Sequence, residues 1–237
     1  MKEGDVVRFD YTLWIDGDKK PLDTSLEAVA KEHGIDREGK VYAPLTITLG
    51  RQQIIPGLEK ELLALKKGDS KTLHLNPEDA YGERDIKKMQ DVPMAEFRKQ
   101  KVQPQVGMEI NMQNGKGRIV RVAGGRVRVD MNHELAGKKL RYDVEVKETV
   151  SDIPGKVDAV CGYLFPMGGQ KVHIDEDAKS VTLELPDQAK FDPQWPQHKF
   201  RVLSELRGAT DMDFDIIIQE TYPANPVPAG APADEEE

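Results

Sequence analysis

The chain has a single cysteine, Cys161, among its 237 residues. One cysteine cannot form an intrachain disulfide, and it excludes a metal cage built from cysteines. The five histidines have no spacing typical of a metal site: His33, His74, His133, His173 and His198. We therefore expect no metal site in this chain.

Long hydrophobic runs are also missing. No stretch approaches the roughly 20 consecutive apolar residues that a membrane-spanning helix needs. The first five residues, Met1 to Asp5, are too polar for a secretory signal. We expect a cytoplasmic protein without a membrane partner.

The common catalytic motifs are absent as well. The sequence has no nucleophile elbow, no P-loop and no His-Glu-x-x-His motif. Gly115-Lys116-Gly117 lacks the third glycine of a dinucleotide fingerprint and precedes a predicted strand. Nothing here indicates a bound cofactor.

Charge is distributed unevenly along the chain. The overall formal charge is −8, but residues 151–237 hold 7 basic against 17 acidic side chains. Residues 84–132 hold 11 basic against 5 acidic side chains. Blocks of different charge indicate a modular chain.

Hydrophobic periodicity in the first half predicts strands around one short helix. Leu58, Leu62 and Leu65 share one helical face, with Pro56 at the helix entry and Gly68 as a stop signal. Alternation of period two predicts strands at 6–15, 45–49, 71–75 and 140–146. Residues 25–42 are predicted to form a loop with one short helix.

The rest of the chain has weaker patterns. A short helix is predicted at 92–97, followed by a hairpin of 119–122 with 126–129. We expect a linker at 151–155, strands at 171–174, 180–185 and 214–218, and a helix at 197–207. That helix would bury Phe200, Leu203 and Leu206. Residues 223–237 are expected to be a disordered acidic tail.

Several short motifs occur together in a fixed order. The segment from Leu49 to Glu59 is followed by Lys67-Gly68-Asp69 and Ala80-Tyr81-Gly82, and then by residues 132–140 and the strand from Tyr142 to Glu145. In combination they resemble the FKBP-type peptidyl-prolyl cis-trans isomerases, in the SlyD-like branch and its long archaeal-type members.

The resemblance implies an α+β fold with a division into modules. An FKBP-like curved antiparallel sheet around a short helix would occupy 1–83 and 132–150. A β-rich chaperone domain, the insert in the flap, would occupy 84–131. An additional α+β domain would occupy 151–222, before the tail.

The same resemblance implies a pocket. Taken singly, Asp23 would be a cap before Thr24, Ile55 core, Tyr81 a strand-end aromatic and Tyr142 a half-buried strand residue. As family positions, Asp23, Ile55, Tyr81 and Tyr142 would be catalytic. Substrate would contact the pocket walls: Tyr11, Leu22, Leu45, Ile47, Ile54, Leu58 and Leu135.

Some pocket positions depart from the family pattern. Leu58 stands where many relatives have a tryptophan floor, Leu45 where many have an aromatic residue, and Tyr142 where phenylalanine is common. The shallower floor argues against tight binding of the family's macrolide inhibitors. The histidine-rich tail of the SlyD branch is absent, so nickel handling is not implied.

The expected partners are unfolded or nascent polypeptides and X–Pro segments. A chaperone surface would consist of flexible apolar side chains in the insert: Met89, Val92, Met94, Phe97, Met108, Ile110 and Met112. The alternative is a protein that is mainly a holdase, with a weak or vestigial isomerase pocket. Nucleic-acid binding is disfavoured because the basic insert interleaves few aromatics. Charge complementarity favours contact of the C-terminal domain with the insert or with a second copy, as in a homodimer.

Overall fold

The protein is described by a computed structural model that covers residues 1–112, 115–165 and 168–222. The predicted tail at 223–237 lies outside the described residues. In chain order the strands are β1 Val6–Ile15, β2 Asp23–Thr24, β3 Leu45–Thr48, β4 Ser70–Leu75, β5 Met89–Pro93, β6 Glu109–Met112, β7 Gly115–Ala123, β8 Arg126–Asp130, β9 Leu140–Val150, β10 Lys171–Asp175, β11 Ser180–Glu184 and β12 Asp215–Gln219. The α-helices are α1 Glu27–Glu32, α2 Pro56–Ala64, α3 Met94–Lys99, α4 Ile153–Leu164, α5 Asp187–Lys190 and α6 Trp195–Ala209.

The first sheet is antiparallel and has the order β2-β1-β9-β4, with β3 also paired to β1. The helix α2 packs its buried face, Leu58 and Leu62, on this sheet. Pro56 begins the helix, where its missing N–H costs nothing. The predicted strands and the predicted helix of the first half are therefore present.

The second sheet, with the order β5-β8-β7-β6, is also antiparallel. The predicted hairpin is its β7–β8 pair, and Ile119, Val127 and Val129 form its core with Phe97. The helix predicted from residue 92 begins instead at Met94. Residues 89–93 pair with β8 as a strand, and Pro93 provides the extended residue before the helix.

The third sheet has the order β10-β11-β12, and its β11–β12 pair is parallel. The linker expected at 151–155 is wrong, because α4 begins at Ile153. The side chain of Asp152 caps this helix by accepting a hydrogen bond from Gly155 N at 2.9 Å. The chain is thus a mixed α+β protein in which antiparallel pairing dominates.

The buried face of α6 agrees with the predicted one at Leu206 but not at Phe200. Phe200 is 80% exposed, whereas Val202 and Leu206 are buried against the third sheet with Trp195 and Ala209. These four positions share a face of the helix, and Phe200 lies on the other side. The helix has apolar residues on two sides, and packing against the third sheet determines that the side with Val202 is buried.

The first sheet contacts the helices α4 and α6, which pack on the third sheet, along β1 and β3. Val6 of β1 is wholly buried among the residues that pack on the third sheet. Both α4 and α6 lie against β3. None of the helices in the described ranges has the length and apolar character needed to cross a membrane.

Candidate functional site

A cavity of about 200 Å³ opens between the first sheet and the start of α2. Eight side chains that the sequence proposes for the pocket line it together: Tyr11, Asp23, Leu45, Ile54, Ile55, Leu58, Tyr81 and Tyr142. Phe9, Leu13 and Gln53 also line it. Residues far apart in sequence are thus brought to one concave, mostly apolar surface.

The back wall is made by two adjacent strands. Phe9, Tyr11 and Leu13 alternate along β1, so they point to one face of the sheet. Tyr142 on β9 stands opposite Leu13, and its ring lies 6.3 Å from the ring of Tyr11, centroid to centroid. Phe9 and Leu13 were missed by sequence reasoning, although their spacing of two from Tyr11 predicts the same face.

The floor and one rim come from the entry to α2. Ile55 precedes the helix in an extended conformation, with φ −62° and ψ 143°. Among the hydrogen bonds of the described residues, none uses the Ile55 N–H as a donor. An N–H at this rim is available to a ligand carbonyl. Leu58, in the first turn of the helix, closes the floor.

A half-buried carboxylate stands at the edge of the cavity. Asp23 Oδ2 accepts a hydrogen bond from the Tyr11 hydroxyl at 2.7 Å, and Oδ1 accepts one from Lys40 Nζ at 2.5 Å. Burial disfavours the Asp23 carboxylate, but the hydrogen bonds from Lys40 and Tyr11 outweigh it, so its pKa lies below the ordinary value. Asp23 is therefore ionised and fully engaged at neutral pH. Lys40 was missed, because its contact crosses a loop of irregular structure.

The two tyrosines of the wall are protonated. Burial, and then the hydrogen bond with Asp23, raises the pKa of Tyr11 above its ordinary value. Burial, and then the neighbouring Tyr81 and Tyr11, raises the pKa of Tyr142. Both phenols are consequently neutral at physiological pH, and they act as hydrogen-bond donors or apolar walls rather than as bases.

Tyr81 comes from a turn that follows the short 3₁₀ helix Pro77–Asp79. Its ring stacks on His133, with centroids 4.0 Å apart and planes within 3°. His133 Nδ1 accepts a hydrogen bond from Leu135 N at 3.2 Å. Sequence reasoning did not place His133 near the site, because the two residues are separated by the whole second sheet.

Three proposed wall residues have another location. Ile47 and Leu135 are buried in the core of the first sheet, and Leu22 packs at the margin of that core. The cavity lining found among the described residues does not include them. They belong to the same core as the wall residues Phe9, Leu13 and Tyr142.

A second, larger groove, with a volume of about 740 Å³, lies in the unit that the second sheet and α3 form within residues 84–131, called the second sheet unit below. Five of the proposed chaperone-surface residues line it: Val92, Phe97, Met108, Ile110 and Met112. Met94 packs against the small core beneath, and Met89 is half-buried on β5. Val102 lines the groove too and was missed, since it lies in an irregular segment.

No reactive thiol or metal cluster accompanies these sites. Burial, with a smaller effect from Asp158, raises the pKa of the Cys161 thiol to about 12, so it is neutral and unreactive. Within the described part of the chain, no group of three His, Cys, Asp or Glu residues is placed to hold a metal ion.

Comparison with known proteins adds independent findings. The family described as "FKBP26, IF domain" matches residues 90–135. That range overlaps the insert proposed at 84–131 and covers most of the second sheet.

Several curated proteins match a larger part of the chain. A "Short-type peptidyl-prolyl cis-trans isomerase" of Methanocaldococcus jannaschii is 37% identical over 148 residues, which are 62% of this chain and 93% of the relative. The "FKBP-type peptidyl-prolyl cis-trans isomerase SlyD" of Vibrio cholerae is 40% identical over 114 residues, 46% of this chain and 56% of the relative. The "FKBP-type 16 kDa peptidyl-prolyl cis-trans isomerase" of Escherichia coli is 34% identical over 110 residues, 44% of this chain and 73% of the relative.

Proposed function

The chain belongs to the FKBP-type peptidyl-prolyl cis-trans isomerase family and is an enzyme of that class, and we propose that the cavity at the start of α2 is its active site. The observation that carries this assignment is that eight residues of the pocket implied by the family resemblance line one cavity. Substrate there is an X–Pro segment of a polypeptide.

The chemistry needs no nucleophile. Rotation about a peptide bond has a barrier of about 18–20 kcal/mol because amide resonance is lost in the twisted state. X–Pro bonds have cis and trans states of similar energy but exchange slowly. A site that binds the twisted amide better than the planar one accelerates the exchange.

The cavity has the features that this preference requires. Apolar walls from Phe9, Leu13 and Tyr142 remove water from the substrate carbonyl, whose charge separation falls as resonance is lost. The Ile55 N–H holds a substrate carbonyl, and the Tyr81 hydroxyl supplies a second donor. Asp23 orients the Tyr11 hydroxyl, since both of its carboxylate oxygens already accept hydrogen bonds.

A prolyl tetrapeptide assay tests the site. Asp23→Ala and Tyr142→Ala should each lower kcat/KM about tenfold, which corresponds to about 1.4 kcal/mol of transition-state stabilisation. Tyr222→Ala, an exposed tyrosine far from the cavity, is the control for a lost phenol. Unfolding curves establish that the variants are folded at the assay temperature. Full activity in both cavity variants would disprove the assignment.

We also propose that the second sheet unit is a chaperone domain that binds unfolded chains in its groove. Met108 and Val102 leave apolar surface exposed there, and methionine side chains adapt to varied partners. The unit follows directly on Tyr81, so a client held in the groove has a raised local concentration at the cavity.

The geometry of the connection allows the unit to be removed cleanly. Gly137 N donates a hydrogen bond to Gly82 O at 2.8 Å, so the two connecting segments lie side by side. A short Gly/Ser loop can therefore replace 84–131. This variant should retain most activity on a tetrapeptide and lose it on a proline-limited refolding protein. An equal loss on both substrates would show that the unit is structural support.

The second candidate function is that of a holdase with a vestigial isomerase pocket. The groove is larger than the cavity, about 740 Å³ against about 200 Å³, and this difference supports the holdase function. Suppression of aggregation of a proline-free client, compared with tetrapeptide turnover, separates the two functions. Holdase activity without measurable turnover would establish the second.

Association through the C-terminal domain is a further part of the proposal. Phe191, directly after α5, and Phe200, on α6, are both largely exposed. A homodimer would cover such side chains. Light scattering over a range of concentrations tests this, and Phe200→Ser should shift the protein towards monomer.

Nucleic acid is not a proposed partner, and a cytoplasmic location is a proposal that cell fractionation can test.

A further inference from the structure

The loop at residues 49–55 joins β3 to α2 and carries Ile54 and Ile55 into the cavity. Its backbone contains two left-handed residues, Gly50 at φ 85° and Gln52 at φ 53°. Glycine adopts this conformation readily, whereas glutamine does so at a cost. The shape of the loop therefore needs support from its surroundings.

Part of that support comes from the first sheet unit. Leu49 N donates to Asp5 O at 3.0 Å, and Gly50 N donates to the Glu59 side chain at 2.8 Å. Thr48 N donates to Gln53 Oε1 at 2.7 Å. These bonds fix the start of the loop and one end of the Gln53 amide.

The other end of the Gln53 amide is held from outside this unit. Gln53 Nε2 donates to Glu205 Oε2 on α6 at 2.6 Å. A carboxylate accepts but does not donate, and the Thr48 N–H donates but does not accept. The two partners together leave one orientation for the amide, so Gln53 links α6 to β3 in a defined geometry.

Neighbouring contacts also hold the 49–55 loop and Glu205 in place at α6. The Arg51 guanidinium lies against α6 at Gly208, where a Cβ would be 3.1 Å from Arg51 Nε. The Glu205 side chain also lies beside Tyr163 of α4. Burial raises the pKa of Tyr163, Arg201 opposes this, and Glu205 adds to the rise.

We propose that Glu205 is a positioning residue of the isomerase site, which holds the Ile55 N–H in place through Gln53. The inference rests on the proposed function of the cavity. Glu205 itself does not line that cavity, and it acts on substrate only through the 49–55 loop. The C-terminal domain thereby takes part in substrate binding.

The expected effect is on affinity more than on turnover. The Ile55 N–H holds the substrate in the planar and the twisted state alike, so loosening it weakens uniform binding and raises KM. A structural role gives the opposite pattern, because an unfolded fraction lowers apparent kcat and leaves KM unchanged. The split between KM and kcat therefore distinguishes positioning from stability.

The test uses the full chain and a prolyl tetrapeptide. Glu205→Ala should raise KM about 3- to 10-fold, the range expected for the loss of one typical hydrogen bond at an exposed site. Glu205→Gln keeps an acceptor oxygen for Gln53 and should restore most of the affinity. Ser204→Ala, at an exposed position on the same helix, is the matched control and should behave as wild type.

A double-mutant cycle adds a second criterion. Once Gln53 is replaced by alanine, Glu205→Ala should have little further effect on KM, because both act through one bond. An unchanged KM in Glu205→Ala, a fall in kcat alone, no rescue by Glu205→Gln, or fully additive effects would each overturn the inference. Inactive wild-type protein would overturn the proposed function, and the inference with it.

Discussion

Tyr81 stacks face to face on His133, with ring centroids 4.0 Å apart. Tyr81 precedes the second sheet unit in the chain and His133 follows it, so one aromatic contact closes the base of that unit beside the cavity. The orientation of the Tyr81 hydroxyl thus depends on a residue beyond the pocket lining.

The first prediction concerns this stack. His133→Ala should lower kcat/KM on a tetrapeptide roughly 2- to 10-fold, because an aromatic pair contributes about 0.5–1.5 kcal/mol. His133→Phe keeps a ring for Tyr81 and should retain more activity than the alanine variant. His173→Ala, an exposed histidine on β10, is the control. Equal activities of the alanine and phenylalanine variants would show that the stack does not matter.

The second prediction concerns Lys40. Burial is the largest single influence on the Asp23 carboxyl and favours its neutral form, while Lys40 supplies the largest opposing influence. Lys40→Met should therefore raise the pKa of Asp23 above its wild-type value. A carboxyl ¹³C titration by NMR measures it. Lys31→Met, whose cation pairs with Glu27 instead, should leave the Asp23 titration in place.

The third prediction is a dependence of stability on pH. The pKa of Asp23 is lowered in the folded protein, so its contribution to stability is complete above the unfolded pKa of about 4. That contribution is lost as pH falls through the folded pKa. The difference in unfolding free energy between wild type and Asp23→Asn should be constant from about pH 8 to pH 5 and shrink at lower pH. A difference that changes between pH 6 and 8 would contradict this assignment.

The fourth prediction compares two helical glycines. A Cβ at Gly57 would lie 2.8 Å from the backbone oxygen of Asp79, so Gly57→Ala must displace the chain beside the cavity. We expect a loss of about 1–3 kcal/mol of stability. Gly162 on α4 has open space around it, so Gly162→Ala should stabilise by up to about 1 kcal/mol. Thermal unfolding of both variants measures the opposite signs.

Much of the first sheet could be predicted because its strands alternate cleanly. Phe9 and Leu13 were within reach of the same argument, since they flank Tyr11 at a spacing of two. Lys40, Gln53 and His133 were not, because their roles depend on contacts between distant segments or across an irregular loop. No local pattern records such a contact.

The helix α4 was missed for a different reason. Its first turn contains Pro154 and Gly155, which read as a linker, and the helix buries both apolar residues and Lys156. Lys156 is only 1% exposed and is paired with Asp211 at 3.3 Å. A buried lysine contradicts the usual apolar pattern, and only the tertiary structure supplies its partner.

The last prediction tests the groove of the second sheet unit. Met108 lines the groove and is 36% exposed, whereas Ile86 is 85% exposed in the same unit but outside the groove lining found among the described residues. Met108→Glu and Ile86→Glu add the same charge, and Ile86→Glu removes the more exposed apolar side chain of the two. If the groove binds clients, Met108→Glu should weaken suppression of client aggregation and slow a proline-limited refolding reaction. Ile86→Glu should do neither.

Tetrapeptide turnover is the internal control for that comparison. Neither substitution touches the cavity, so both variants should isomerise a tetrapeptide as wild type does. Equal losses of chaperone activity in the two variants would mean that general apolar exposure, rather than the groove, captures unfolded chains. Lost tetrapeptide turnover in Met108→Glu would mean instead that the second sheet unit supports the cavity directly, through the connection at which Tyr81 stacks on His133.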